Sequence, residues 1–304
     1  MRRGFLRWVA RHPGSPGPLL LGPGGLWLFA FFLLPVLILL VYSFMPRGAY
    51  GGVQPGFTLE HYQRFLDPLY LGILRRTAWL SFLCTLVCLL LAYPTAFYIA
   101  RSGRRRNLLL FLAVLPFWTS SLVRTYAMIF LLRDSGLINR ALIDAGLIHV
   151  PLRLLYTEGA VLAGLVYGAL PFMILPIYAS LEKLDPALLE AAEGLGARPW
   201  ARFSRVVWPL TLPGVAAGSL LVFVPSLGSF VVPDLLGGAR HMMIGNLIQN
   251  QFGPSRNWPF GSAAAFAVMA LVLIAMLGVL RVGGLDDQGG DPAARGRAGR
   301  ERGA

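Results

Sequence analysis

The chain has a single lysine, Lys183, which stands between Glu182 and Leu184. A Walker A loop needs Gly-x4-Gly-Lys-Ser/Thr, with the lysine reaching the nucleotide phosphates, so this chain supplies no P-loop of its own. The four histidines, His12, His61, His149 and His241, are far apart in or beside polar segments, and there is no His-Glu-x-x-His, which argues against a metal site. Gly218-Ser219 and Gly228-Ser229 lack the Gly-x-Ser-x-Gly elbow of a serine hydrolase and read as small residues for close helix packing. Cys84 and Cys88, the only cysteines, lie i, i+4 on one helix face inside an apolar run. Packing accounts for them, and a redox or metal pair would need further ligands. No catalytic set emerges, and no metal or cofactor is expected on the chain.

Composition frames what must position the remaining polar residues. Apolar residues make up 56% and charged residues 13%, with a mean hydropathy of +0.63, which is outside the range of soluble proteins. The net charge is +13, but the arginines are spread through the segments between apolar runs. They form no stripe interleaved with aromatics, so membrane lipid is the expected partner and nucleic acid is not. Apolar runs from Leu19 to Phe44, Thr77 to Ala100, Leu108 to Leu132, Gly159 to Leu181, Leu210 to Val232 and Gly261 to Leu280 each approach the ~20 residues that cross hydrocarbon. The first is too long for a signal-peptide core and has no evident small-residue cleavage site, so it reads as an uncleaved span. The expected fold is an all-α polytopic membrane protein with six transmembrane helices. Pro35, Pro94, Pro116, Pro171, Pro176, Pro213 and Pro225 sit in or near these runs, where membrane helices accept kinks if neighbours or water satisfy the freed carbonyls.

Arginine and lysine set the orientation. Arg2, Arg3, Arg7 and Arg11 precede the first run, Arg101, Arg104, Arg105 and Arg106 fill one short loop, and Lys183, Arg198, Arg202 and Arg205 fall in another. By the positive-inside rule these segments and both termini are cytoplasmic. The opposite loops, 45–76, 133–158 and 233–260, offset their scattered arginines with Glu60, Asp67, Asp134, Asp144, Glu158 and Asp234. Arg75 and Arg76 weaken the asymmetry locally, and the cluster at 101–106 decides the sign. The chain then divides into a cytoplasmic segment at 1–18, a transmembrane domain at 19–280 and a tail at 281–304, which lacks periodicity and is expected to be disordered.

Between the fourth and fifth runs lies the one polar stretch with helix signals of its own, the loop 182–209. Asp185 and Pro186 read as an N-cap and first helical residue, Ala187 to Leu195 are good helix formers, and Gly196 is a natural stop. Pro199 can open a second helix, Trp200 to Trp208, before Pro209 and Pro213 break it. The expectation is a cytoplasmic helix-turn-helix.

Glu190-Ala191-Ala192, three residues, Gly196, nine residues, and Val206-Val207-Trp208-Pro209 resemble the EAA loop of ABC importer permeases, Glu-Ala-Ala-x3-Gly-x9-Ile-x-Leu-Pro. The chain departs from that pattern at Val206 and Trp208, both apolar. Gly164-Leu165-Val166-Tyr167, Leu170-Pro171-Phe172-Met173, Glu182-Lys183-Leu184-Asp185, Pro233-Asp234-Leu235-Leu236-Gly237-Gly238, Ile244-Gly245-Asn246 and Asn257-Trp258-Pro259-Phe260-Gly261 extend the likeness over roughly residues 20–280. Together they resemble the first permease subunit of spermidine/putrescine importers. The resemblance implies an inner-membrane subunit working by alternating access. Its expected partners are a similar second permease, two copies of a cytoplasmic ATPase that uses ATP and Mg, and a periplasmic or lipid-anchored solute-binding protein. It also implies that the first loop helix fits a groove on the ATPase, with Glu190 making a polar contact and Gly196 permitting the turn.

A path for polyamines should offer carboxylates and aromatic faces to a cation. The outer half supplies Asp134, Glu158, Asp234, Tyr126, Trp118 and Trp258, although interfacial anchoring and ordinary solvation also account for such residues. Arg124 lies well inside the third run, where a charge is costly unless it faces water or a partner, and so argues for a hydrated cavity. A cation there opposes cationic cargo, so Arg124 pairs with a carboxylate, snorkels outward or signals an anionic solute. The same architecture would also serve ferric iron, an amino-acid derivative or an anion, and a membrane scaffold is the rival from another class.

Overall fold

In the computed structural model, residues 17–238 and 241–283 are described; most of the expected N-terminal segment and the tail from 284 lie outside them. Helix dominates. The helix α1 (Gly17–Leu28) runs through a π turn at Phe29–Leu33 into α2 (Leu34–Ser43), and α3 (Glu60–Phe65) precedes the long α4 (Pro68–Arg101). Then come α5 (Arg106–Val114), a 3-10 turn at Leu115–Trp118, α6 (Ser121–Leu132), α7 (Leu137–Asp144) and α8 (Glu158–Glu182). The chain continues through α9 (Pro186–Gly194), α10 (Pro199–Arg202), a π turn at Phe203–Val207 and α11 (Trp208–Leu227). A further π turn at Pro233–Gly237 precedes α12 (Ile244–Phe252) and α13 (Trp258–Gly283).

The chain divides into two compact units, one formed by the segment up to Asp67 with Ile248–Val268, the other by Pro68–Leu247 and the chain from Met269. In the first, the end of α2 is fixed to the loop after it: Ser43 Oγ and Tyr62 OH share a hydrogen bond of 2.8 Å, and His61 Nε2 lies 3.0 Å from the Met45 carbonyl. Arg47 donates to the Ser255 carbonyl at 3.0 Å, and Arg64 sits over the Phe260 ring at 5.1 Å.

The second unit is built on three long helices, α4, α8 and α11. On α4 the buried stripe is Leu80, Cys84, Cys88, Ala92, Ala96 and Ile99, a spacing of about one turn with small residues in the middle. Lipid tails are as apolar as leucine, so helices in a membrane associate by close packing, which small side chains allow. Gly214 and Gly218 of α11 serve that end: a Cβ at Gly214 would stand 2.5 Å from the Pro176 carbonyl oxygen of α8, and one at Gly218 2.9 Å from Met173 Sδ. The register of α4 against the antiparallel α11 is pinned at two levels, by Tyr93 OH with Thr211 Oγ1 at 2.9 Å and by Ser226 Oγ with Cys84 Sγ at 3.7 Å. Both cysteines are thus buried in this core.

Among the described residues, four helices are long and apolar enough to cross a membrane: Gly24–Ser43, Pro68–Arg101, Glu158–Glu182 and Pro199–Leu227. The expected third span at 108–132 is not one helix. Gly103–Trp118 and Ser121–Asp144 meet at 87°, because Pro116 removes a donor and Thr119 and Ser120 take extended backbone with ψ 146° and 136°. Counting that pair as one broken span gives five, and the apolar stretch of α13, Trp258–Ile274, is shorter. The expected break at Pro209 and Pro213 is also absent, since helix continues from Pro199 to Leu227. In the π turn before Pro209 the Trp208 N–H reaches back five residues to Phe203 O, and this wider turn relieves the clash a proline ring makes with a carbonyl four residues earlier.

Candidate coupling loop and membrane path

The Asp185 side chain accepts from Ala187 N at 2.9 Å and Pro186 opens α9, as their types dictate. The other end closes as a Schellman motif: Gly196 N donates to Glu193 O at 2.9 Å and Ala197 N to Ala192 O at 3.0 Å. Gly196 takes φ +79°, a left-handed conformation that residues with a Cβ adopt at a cost. Turned by this cap, the chain enters α10, which is the cytoplasm-expected end of the fifth span rather than a separate second helix.

One face of α9 carries Leu189, which packs against the core of the second unit. Away from it, Glu190 and Ala191 are exposed and Ala192 is half-buried. Three large apolar side chains around the turn are left open, Leu188 at 47%, Leu195 at 89% and Trp200 at 75% exposure. Pro209 is exposed at the start of α11. Two ion pairs brace the loop, Arg202 Nη1 with Glu193 Oε2 at 2.6 Å across the turn, and Arg106 Nη1 with Glu182 Oε1 at 2.8 Å. The second pair joins the 101–106 segment to the 182–209 loop, so both sit at the same end of the bundle. Between α9 and the ends of α4 and α8 lies a cavity of about 540 Å³ whose walls include Arg101, Glu182, Glu190, Glu193 and Arg202. Phe203 meets Tyr93 edge-on at 5.6 Å, with Trp208 5.4 Å from Tyr93, tying the loop to α4.

The path candidates do not converge to one cluster. Trp118 is 74% exposed and meets Phe111 edge-on at 5.8 Å, just before the break in the third span. Tyr126 on α6 and Asp234 in the π turn are exposed. Trp258 belongs to the first unit, where it stacks with Tyr42 at 6.5 Å and donates through Nε1 to the Phe252 carbonyl at 3.2 Å, an anchoring role. Glu158 is engaged by Arg76 at 3.1 Å and lies 3.6 Å from His241 Nδ1. Asp134 shares a cavity of about 470 Å³ with Arg133 and Arg153. Arg124 is half-buried on α6, with Nε and Nη1 out of reach of solvent and without a hydrogen-bond partner among the described residues. Its guanidinium carbon lies 5.6 Å over the ring of Tyr167 on α8.

Residues 89–282 match the family model described as "Binding-protein-dependent transport system inner membrane component". The chain belongs to this family. Among its relatives, the spermidine/putrescine transport system permease protein PotB of Haemophilus influenzae is 47% identical over 249 residues, covering 82% of this chain and 87% of that protein. PotB of Escherichia coli is 46% identical over 252 residues, 82% of this chain and 92% of that one. A solved bacterial alginate ABC transporter, in complex with an alginate pentasaccharide-bound periplasmic protein, superposes with a TM-score of 0.72 at 20% identity, covering 90% of this chain and 95% of that one. That likeness establishes the fold alone; the family and the PotB relatives make the protein a multi-pass inner-membrane transport component.

The sequence did not show the contacts of three residues that the structure makes prominent. Glu193 and Arg202 are nine positions apart and meet only because the Gly196 turn folds the loop back, and Tyr167 was legible as part of a family motif but not as a partner of Arg124. No periodicity in the sequence connects such pairs, since each depends on how two elements pack.

Proposed function

We propose that this chain is the membrane-spanning permease subunit of an ATP-driven polyamine importer, crossing the inner membrane six times with both termini cytoplasmic. The observation that carries this reading is the identity of nearly half of all aligned residues with spermidine/putrescine permeases over 82% of the chain. In this reading α5–α7 form one broken crossing and α13 the sixth. The partners are a cytoplasmic ATPase in two copies, which binds the ATP and Mg, a distinct second permease, and a periplasmic or lipid-anchored binding protein that delivers cargo.

The α9 loop is the coupling element. Its exposed Leu188, Leu195 and Trp200 surround the turn at the end of the bundle expected in the cytoplasm, where apolar surface is stabilised by a protein groove, and Glu190 offers a carboxylate to the same partner. ATP shifts the permease between inward- and outward-open states only through its differential affinity for the two, transmitted by this loop. The path is lined from Trp118, Arg124, Tyr126 and Asp234.

The test is labelled spermidine and putrescine uptake at low external concentration in cells with and without the chain. Loss of uptake on deletion, with restoration by the wild type, is the expected result. Co-purification adds the partner: an ATPase retained by the wild type and lost in Glu190→Arg is expected. Unchanged polyamine uptake in a strain with no redundant importer would refute the cargo. It would favour an anionic solute, for which the unpaired nitrogens of Arg124 speak.

A further inference from the structure

We propose that the ring of Tyr167 is an ammonium-binding face of the transport path, and that Arg124 is a cation of the chain's own that occupies this face when cargo is absent. The inference rests on the polyamine reading above and assigns a subsite within it. An arginine inside a span must be compensated by water, a counter-charge or a π face. Snorkelling accounts for Nη2 at most, because Nε and Nη1 are buried and have no hydrogen-bond partner among the described residues. Ion pairing does not explain it either: among the described residues Arg124 has no carboxylate within 4.0 Å, whereas Arg76 pairs with Glu158, Arg106 with Glu182 and Arg202 with Glu193. What the guanidinium does have is the Tyr167 ring at 5.6 Å, inside the ~6 Å over which a ring attracts a cation.

Tyr167 is placed to serve a ligand as well. It remains 45% exposed under the guanidinium, and the next residue, Gly168, has no atom within 4 Å of where a Cβ would stand, so the wall beside the ring is open. One turn earlier the same helix is closed: a Cβ at Gly164 would stand 2.6 Å from Leu236 Cδ1 and 2.7 Å from Val232 Cγ1, which fixes α8 against the π turn at Pro233–Gly237. Arg124 itself sits in the first turns of α6, just beyond the 87° break at 119–120, so a small change at the break moves the guanidinium on or off the ring. An arginine in a cation path then has a use. It neutralises the aromatic site's attraction until an ammonium group displaces it, and on return it favours release of the bound cation.

Because the binding protein sets the apparent affinity of uptake, the test is equilibrium binding of labelled spermidine to the assembled permease–ATPase complex in lipid nanodiscs without binding protein. Arg124→Gln should tighten binding by roughly two- to thirty-fold, the range of one cation–π contact. Tyr167→Leu should weaken it, Tyr167→Phe should leave it near wild type, and Arg124→Gln should give no gain in the Tyr167→Leu background. Weaker or unchanged binding in Arg124→Gln overturns the proposal. Should that variant fail to assemble, equal affinity of Tyr167→Leu and Tyr167→Phe overturns it instead. Uptake in cells separates the two levels: a wild type that imports no polyamine refutes the cargo and this ligand class together, whereas import with the wrong binding order refutes the subsite alone.

Discussion

Replacing Gly196 perturbs the proposed coupling loop without touching the membrane core. No atom lies within 4 Å of the position a Cβ would take, so Gly196→Ala costs only backbone conformation. Holding an L-residue at φ +79° costs about 1–2 kcal/mol, a factor of roughly 5–30 in the population of the Schellman turn. Gly196→Pro is harsher. Proline fixes φ near −65° and removes the N–H that donates to Glu193 O at 2.9 Å, which adds about 0.5–1.5 kcal/mol and forbids the left-handed turn altogether. The direction in which α9 leaves α10 must then change, and with it the presentation of Glu190, Leu195 and Trp200. The assay measures ATP hydrolysis and cargo uptake on the same reconstituted complex, with its melting temperature as a control. The alanine variant should move several-fold less cargo per ATP, and the proline variant should uncouple the two, both melting near the wild type. A proline variant with the wild-type ratio of cargo to ATP would refute the assignment of this loop to coupling.

Two further substitutions test the packing argument. Gly214→Ala should lower the melting temperature of the detergent-solubilised complex, by an overpacking cost of about 1–3 kcal/mol, because the new methyl meets the Pro176 carbonyl and Ser180 Cβ of α8; an unchanged melting temperature would remove the case for close α8–α11 approach. Arg202→Ala should change stability by no more than about 1 kcal/mol, since its pair with Glu193 is partly open to solvent, with the Glu193 side chain 69% exposed. A loss of folding in that variant would mean that the brace, not the glycine cap, holds the loop.

The local features of this protein were written in its residues. Asp185, Pro186 and Gly196 fix where α9 starts and ends through donors, ring geometry and φ, which depend on neighbours a few positions away. The apolar runs likewise place the long helices, because crossing hydrocarbon requires an uninterrupted stretch of such residues. Where prediction failed, a proline was weighed without its surroundings: Pro209 was expected to break a helix and Pro116 only to kink one. Pro209 is carried through by the π turn before it, whereas the 3-10 turn that contains Pro116 gives way to extended Thr119 and Ser120, and the third crossing bends by 87°.

What only the tertiary structure decided is which distant side chains meet. The stripe of small residues on α4 was visible as apolar sequence, but its use as a packing face depends on Thr211 and Ser226 of α11 lying opposite Tyr93 and Cys84, and α11 meets α8 in turn through Gly214 and Gly218, 38 and 45 residues from their contacts on Pro176 and Met173. Arg124 was marked by its charge alone, and its companion Tyr167 came from the packing of α6 on α8. A residue's type and neighbours along the chain set its intrinsic preferences, whereas a buried charge is compensated by whatever group folding brings within a few ångströms, and that group is specified by the packing of whole helices.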